Sequence, residues 1–153
     1  MKFVPMSKSR YAAFERASIE GYAQSNVESG RWDESDAMAR AASAHHELLP
    51  NGLNTEHHHL FDLCADGEKV GMLWVYTEPE TEVASAYIYD IEIESEHRGR
   101  GLGKEAMRAL EDWCHERNVK RIELNVFAFN KTAIRLYEGL DYQATNFKMQ
   151  KDL

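Results

Sequence analysis

Three glycines at alternate positions, between a predicted strand and a predicted helix, constrain the fold of this chain more than any other feature. They are Gly99, Gly101 and Gly103, within Arg98–Lys104. Glycine permits positive φ and a close approach of backbone to ligand. The first turn of the following helix presents unpaired N–H groups with partial positive charge. The segment is therefore suited to phosphate or pyrophosphate, the alternative being a turn that only lets the helix pack against its strand.

Two common phosphate motifs are excluded by single residues. A dinucleotide fingerprint, G-x-G-x-x-G, requires a third glycine at the position of Lys104. A Walker loop requires Ser or Thr where Glu105 stands, and its first glycine is replaced by Arg98. The turn is thus expected to serve another phosphate-bearing ligand.

The periodicity of apolar residues predicts the elements on both sides of the turn. Helical spacing with plausible caps predicts helices over about 7–30, with Ser7 as N-cap, and 35–48. Alternation predicts strands over 2–6, 59–65, 69–77 and 82–94, and Asp66-Gly67 predicts a hairpin between the second and third. In the strand over 82–94 we expect one face to carry Tyr87, Tyr89, Ile91 and Ile93, and the other face to carry Asp90, Glu92 and Glu94.

After the turn, Leu102, Ala106 and Leu110 begin an apolar stripe that predicts an amphipathic helix. A strand over 121–129, a short helix capped by Asn130 and a closing strand over 142–151 follow. The order of the predicted elements indicates an α+β fold with a mixed sheet. Helices come first, an antiparallel meander follows, and strands and helices then alternate. The length of 153 residues favours a single domain over 1–153.

Composition excludes several classes of partner. The chain has 26 acidic and 18 basic residues, a formal net charge of −8, and no stripe of Lys and Arg, which argues against nucleic acid. No apolar run approaches the ~20 residues of a membrane span, and the first residues do not resemble a signal peptide. Two distant cysteines are expected to be free thiols in a reducing cytoplasm. The charge favours a cationic small molecule or a basic peptide.

The histidines and aromatic residues of the middle third give a weaker signal. His57 and His59 would share one face of a strand, but no cysteine or carboxylate stands at a ligand spacing, so no metal is expected. The aromatic residues of this part are expected mainly to pack the strands, although some could wall a substrate site; they are Trp74, Tyr76, Tyr87 and Tyr89.

Two motifs in the right order carry a family resemblance. Arg98–Gly103 fits Arg/Gln-x-x-Gly-x-Gly/Ala, and Asn130–Tyr137 fits Asn-x-x-Ala-x-x-x-Tyr, with Gly139–Tyr142 near the position of a Leu-Gly-Phe. On these motifs, residues 55–153 resemble the GCN5-related N-acetyltransferase (GNAT) superfamily. The resemblance implies a mostly antiparallel mixed sheet, flanked by helices, in which two parallel strands splay apart and acetyl-CoA binds in the gap.

The resemblance also implies roles for individual residues. A bulge over Asp90–Ile93 would free backbone groups, including those of Ile91 and Ile93, for the pantetheine arm. Asn130 would contact that arm as well as cap its helix, and Tyr137 would act as general acid toward the leaving thiolate. The pyrophosphate would lie on backbone amides, with Arg98 and Arg100 as side-chain candidates; these amides belong to Gly99, Arg100, Gly101, Leu102, Gly103 and Lys104.

The general base is left open by the sequence. Some members carry a Glu in the strand before the Asn, where this chain has Asn125, which cannot accept the proton of an ammonium group. Asp90, Glu92 and Glu94 are the replacements to test first, and the alternative is that these carboxylates only solvate the strand.

The implied function is transfer of acetyl from acetyl-CoA to a primary amine, with a cationic acceptor favoured by composition. A non-catalytic acyl-CoA-binding or interaction domain on the same fold is the rival hypothesis, and a phosphate-ligand domain of unrelated chemistry is a more distant one. No motif indicates the acceptor, and the edge of the last predicted strand could pair with a second copy in a homodimer.

Overall fold

The computed structural model describes residues 1–78 and 84–153. Within them lie four α-helices: α1 (Lys8–Glu28), α2 (Glu34–Leu48), α3 (Leu102–His115) and α4 (Lys131–Glu138). The five strands are β1 (Lys2–Pro5), β2 (His58–Ala65), β3 (Glu68–Thr77), β4 (Ser85–Ile93) and β5 (Arg121–Leu124). Most of the predicted loop over 78–82, and the predicted strand start at Glu82, lie outside the described residues.

The strands form one mixed sheet in chain order, β1-β2-β3-β4-β5. The first four pair antiparallel, whereas β4 and β5 are parallel. Asp66 and Gly67 have φ of 52° and 85° and join β2 to β3, as two-residue hairpin turns with positive φ at both positions do. The predicted α+β class and the Asp66-Gly67 hairpin are confirmed.

Helices cover both faces of the sheet. On one face, Phe14 of α1 packs with Leu60 and Trp74 in a cluster under the α1–α2 pair. On the other face, Met107 and Leu110 of α3 are fully buried against the sheet, and α4 borders the same cluster through Leu136 and Tyr137. None of the helices in the described ranges is long and apolar enough to cross a membrane.

An irregularity in β4 changes which side chains share a face. Trp74 of β3 lies opposite Asp90, but its neighbour Val75 lies opposite Ile88, so Tyr89 is an extra residue in β4. Such a bulge reverses the alternation of the strand. Ile91 and Ile93 therefore face the α3 cluster together with Ala86 and Ile88, not with Tyr87 and Tyr89 as predicted. The predicted bulge position is also wrong: Asp90–Ile93 stand in regular register with β3.

Two predicted strands are shorter or absent. β5 ends at Leu124 rather than Phe129, and residues 142–151 form no strand. β4 and β5 separate after the Ile88–Leu124 pair, and residues 142–151 pair with no strand of the described ranges. The side chains of Phe147 and Met149 are consequently 85% and 89% exposed.

Candidate active site

The two parallel strands separate after a short paired region. Ser85–Ile88 of β4 pair with Arg121–Leu124 of β5, and no pairing follows. Beyond Tyr89, β4 keeps its partner β3 on one edge, while no strand of the described ranges lies on its other edge. The backbone groups of Asp90–Ile93 on that edge are available to a ligand, apart from the Ile93 carbonyl, which accepts from Arg98 Nε. The implied splayed pair is thus present, and the bulge at Tyr89 marks where it opens.

The glycine turn lies at the mouth of this gap. Within residues 1–78 and 84–153, the amides of residues 99–104 donate to no backbone carbonyl, and Glu105 is the first of α3 to do so, to the Gly101 carbonyl at 3.1 Å. Gly99 and Gly101 have φ of 76° and 79°, and a Cβ on either would meet nothing within 4 Å. Six amides without a backbone acceptor thus lie at a helix N-terminus, and open space borders Gly99 and Gly101 among them, which suits an anion.

The third glycine has a different role from the first two. Gly103 does not have positive φ, and a Cβ there would lie 3.3 Å from Leu136 Cδ2 of α4. Gly99 and Gly101 shape the turn, whereas Gly103 lets α3 and α4 approach. Gly99 and Gly101 therefore have the geometry expected of a ligand-binding turn, whereas Gly103 has the geometry expected of helix packing.

Arg98 is engaged by the end of β4. Its Nε donates to the Ile93 carbonyl and its Nη2 donates to Glu92 Oε1, each at 2.8 Å. Arg100 lies 3.3 Å from His97 Nδ1, and Lys104 is exposed. Of the three basic side chains at the turn, Arg98 holds the turn against β4, while Arg100 and Lys104 extend into solvent.

The two candidate bases have different environments. Burial, and secondarily the charge of Glu92, raises the pKa of Asp90 to about 7. Glu92 is itself exposed and forms an ion pair with Arg98. The Asp90 carboxyl is therefore placed to exchange a proton near neutral pH.

Tyr137 and Asn130 are placed by α4. Burial raises the pKa of the Tyr137 phenol, and the charge of Asp90 raises it further, so the two groups are electrostatically coupled. The Asn130 side chain accepts a hydrogen bond from the Ala133 amide at 3.1 Å and caps α4. The structure thus brings Asp90 and Tyr137 to one region, with Asn130 fixing the start of the helix that carries the phenol.

An aromatic cluster covers the sheet beside the bulge. The Tyr89 ring stacks on Trp74 with 4.8 Å between centroids, and Tyr87 lies 4.8 Å from Tyr89. Trp74 Nε1 donates to His58 Nδ1 at 2.9 Å, and His58 lies 4.8 Å from Tyr76. Because His58 Nδ1 accepts this bond, the proton of the neutral ring is on Nε2. We call these five residues the aromatic cluster.

Three phenols and the Glu78 carboxylate lie close together at this cluster. Burial raises the pKa of the Tyr89 phenol first, and then the neighbouring Tyr87, Tyr76 and Glu78 raise it further. The three phenols and the Glu78 carboxylate therefore lie within electrostatic reach of one another. Tyr89 is 38% exposed, so part of the cluster is open to solvent.

The neighbouring histidines have protein partners. His59 Nε2 lies 3.0 Å from Thr77 Oγ1, and His58 is held by Trp74. Across the two described ranges there is no group of three or more His, Cys, Asp or Glu side chains that could hold a metal ion.

Sequence reasoning misplaced the bulge and missed the hydrogen bond between Trp74 and His58. The bulge has a signal in hindsight: the apolar residues of β4 change parity between Ile88 and Ile91, which an uninterrupted strand with one buried face does not do. The indole–imidazole bond has no such signal, because it depends on the register between β2 and β3.

Comparison with known proteins agrees with this geometry. Residues 20–142 match the family model described as the acetyltransferase (GNAT) family. The uncharacterized N-acetyltransferase YdgE of Bacillus subtilis (strain 168) is 34% identical over 149 residues, which cover 97% of this chain and 95% of that protein. The uncharacterized N-acetyltransferase YycN of the same strain is 35% identical over 150 residues, covering 97% of this chain and 96% of that protein. The crystal structure of YycN superposes with a TM-score of 0.96 over 99% of this chain and 98% of its own. The chain therefore belongs to the GNAT family of acetyltransferases.

Proposed function

We propose that this acetyltransferase moves the acetyl group of acetyl-CoA to a primary amine, and that the amine-bearing acceptor is cationic. The observation that carries the proposal is the unpaired β4 edge ending in a turn with six free amides. An extended amide-containing arm followed by a pyrophosphate needs backbone partners along a strand and then a ring of N–H donors. The GNAT family generally uses this donor.

The residues fit the donor along its length. The backbone of Asp90–Ile93 offers donors and acceptors to the pantetheine arm, while the side chains of Ile91 and Ile93 pack toward α3. The amides of residues 99–104 face the pyrophosphate, and Arg100 and Lys104 add positive charge beside it. Arg98 positions the turn through two of its N–H donors, which bond to the Ile93 carbonyl and to Glu92.

Asp90 is our proposed general base. An ammonium group must lose a proton before its nitrogen attacks the thioester, and a base is most effective with a pKa near the working pH. The Asp90 carboxyl, with its pKa raised to about 7, meets that condition. The Arg98-paired Glu92 acts indirectly, since its charge contributes to the raised pKa of Asp90.

Tyr137 is the proposed general acid. Its pKa is raised above the usual value of 10.0, so the phenol stays protonated at neutral pH and has a proton to give to the departing sulfur. Asp90 removes a proton on the acceptor side and Tyr137 supplies one on the thiol side. The two groups thus divide the proton transfers of the reaction.

The aromatic cluster is the proposed acceptor site. Asp90 lies opposite Trp74 in the sheet register, so the base and the cluster share one face of the sheet. Aromatic faces attract cations by up to about 2 kcal/mol when water is excluded, and Glu78 adds negative charge at the same place. An ammonium-bearing acceptor is favoured over a neutral one by both features.

The test is a thiol-release assay with acetyl-CoA and a panel of matched amines. Diamines and polyamines are expected to react with higher kcat/KM than monoamines of the same length that carry a neutral hydroxyl in place of the second amine. Tyr89→Leu should remove most of this preference, while Phe3→Leu, which removes a ring of β1 that stacks on Phe61, should retain it. Failure of every amine to release CoA would refute the proposed reaction, and equal rates for charged and neutral acceptors would refute the acceptor class alone.

A further inference from the structure

The Trp74 indole lies at the centre of the aromatic cluster and has a single hydrogen to donate. That hydrogen, on Nε1, goes to His58 Nδ1 at 2.9 Å across the antiparallel pair of β2 and β3. Trp74 is 4% exposed, so its side chain is removed from bulk water. Because a buried donor without a partner is costly, the position of the indole depends on an imidazole that is able to accept.

The indole in turn positions the ring that is open to solvent. The Tyr89 ring stacks on Trp74 with 27° between the two planes. Phe14 of α1 and His45 of α2 contact the indole in T-shaped arrangements, with 5.9 and 5.4 Å between ring centroids. A displacement of the indole would therefore disturb the stacked pair and change the face that Tyr89 presents to a ligand.

His58 accepts this hydrogen bond only while its ring is neutral. In the imidazolium form both ring nitrogens carry a proton, so Nδ1 would be a donor facing the indole N–H. Burial lowers the pKa of His58, and the charges of His59 and His57 lower it further. The ring is therefore neutral at neutral pH and gains a proton only when the pH falls through this lowered pKa.

Protonation of His58 would also place a positive charge against the rings of the cluster. The imidazole lies 4.8 Å from the Tyr76 ring and 5.6 Å from the Tyr89 ring, measured between centroids. On the same strand, His57 packs against Tyr76 at 6.4 Å, and its Nε2 lies 3.5 Å from Glu56. An imidazolium at His58 would compete for the aromatic faces that attract an ammonium group.

Other titratable groups surround the cluster from α1, α2, β4 and the end of β3. They are Glu15, His45, Asp90 and Glu78. Burial lowers the pKa of His45, whose Nε2 lies 3.7 Å from Glu15. Since the one indole hydrogen is donated to His58, the charge of His58 decides whether that bond exists.

We propose that His58 is a positioning residue for the acceptor and acts through Trp74. Neutral His58 holds the indole in the arrangement that binds a cationic amine, and protonated His58 releases the indole and opposes the amine. This role rests on the proposed function, in which the aromatic cluster binds the acceptor. Acid should therefore weaken acceptor binding at a lower pH than it affects Asp90, whose pKa is raised to about 7.

NMR measures the state of the indole without any substrate. The chain has three tryptophans, so a ¹⁵N-labelled sample has three indole N–H signals, and Trp74→Phe identifies the signal of Trp74. In the wild type this signal should move upfield as the pH falls from about 8 to about 5. In His58→Gln, whose amide oxygen accepts at every pH, it should stay near its starting position. In His58→Leu it should be upfield throughout.

Tetramethylammonium measures the cation site, because it cannot be acetylated. Near pH 8 the wild type and His58→Gln should bind it equally, and His58→Leu about 10-fold more weakly. On acidification the wild type should lose about 10-fold more affinity than His58→Gln. This difference isolates His58, since both proteins retain the other titratable groups. His115→Gln, at an exposed histidine that ends α3, is the matched control and should behave as the wild type does.

Three results would each overturn the role of His58. These are a Trp74 signal that titrates alike in wild type and His58→Gln, equal affinity of wild type and His58→Leu, and no binding of tetramethylammonium to the wild type. The indole signals of Trp32 and Trp113 should be unchanged in the variants and show that they are folded. If the probe behaves as expected but no amine releases CoA, the cation site and its control by His58 stand while the proposed transfer reaction is refuted.

Discussion

Replacing Asp90 by asparagine should make the protein more stable at pH 8 but not at pH 3.5. The carboxyl has a pKa of about 7 in the folded chain against 3.8 without its surroundings. At about 1.4 kcal/mol for each pKa unit, ionising the buried group costs at most about 4 kcal/mol of folding free energy. The amide side chain of the Asp90→Asn variant would occupy the same volume without that cost.

The pH range of the effect follows from the upward shift of the Asp90 pKa. Below pH 3.8 the carboxyl is protonated in both the folded and the unfolded chain, so it contributes no pH dependence. Between about 4 and 7 the unfolded chain loses the proton while the folded chain retains it, and the wild type loses stability. Above about 7 both forms are ionised and the difference between wild type and Asp90→Asn is constant.

Urea unfolding of the two proteins across this range measures the effect. The difference in free energy of unfolding should grow from near zero at pH 3.5 to a plateau of up to about 4 kcal/mol above pH 7.5. Other titrating groups cancel, because both proteins contain them. A difference that is the same at every pH would show that Asp90 is not a buried acid with a raised pKa, and would also remove the physical basis for its role as base.

The same residue should control the rate. Wild-type kcat/KM is expected to rise with pH through an acidic limb near 7, and Asp90→Asn should lower it by about 10²–10⁴ and abolish that limb. Glu92→Gln is the matched control: it keeps most of the activity but shifts the limb to lower pH, because it removes the second cause of the raised Asp90 pKa. A limb that persists in Asp90→Asn would assign the proton transfer to another group.

Two further predictions concern the acid and the turn. Tyr137→Phe should lower kcat by about 100-fold or more with little change in KM for acetyl-CoA; steady-state kinetics with unchanged kcat would refute the general-acid role. Gly101→Ala and Gly67→Ala both place a side chain at positive φ in open space, so thermal unfolding should show a similar loss of about 1–2 kcal/mol for each. Isothermal titration should show weakened acetyl-CoA binding only for Gly101→Ala, and equal affinities in the two variants would contradict the proposed pyrophosphate site.

The fold was predictable where the signal is local. Asp66-Gly67 fixes a hairpin by its own turn chemistry, and the stripe beginning at Leu102 fixes the helix after the turn. The strand predicted over 142–151 depends instead on pairing with a neighbouring strand, and within the described residues this segment pairs with none. Periodicity identifies a segment able to form a strand, but pairing determines whether it does.

The site was predictable as a set of residues more than as an arrangement of them. Asn130 caps α4 as expected, and the charge of Asp90 reaches the Tyr137 phenol. Sequence alone could not show which of Asp90 and Glu92 is the better candidate base, since both are carboxylates on the same predicted face of one strand. Their difference comes from tertiary contacts: Arg98 pairs with Glu92, whereas the surroundings of Asp90 desolvate it.

The single extra residue Tyr89 links these features. In a regular β4, the face that buries Ala86 and Ile88 against α3 would next present Asp90, and a carboxylate would have to enter an apolar core. The bulge places Ile91 there instead and leaves Asp90 opposite Trp74. It also coincides with the point where β4 leaves β5, since local bending and extra twist accompany a bulge. One insertion thus opens the gap, keeps the core apolar and places the raised-pKa carboxyl on the face that carries the aromatic cluster.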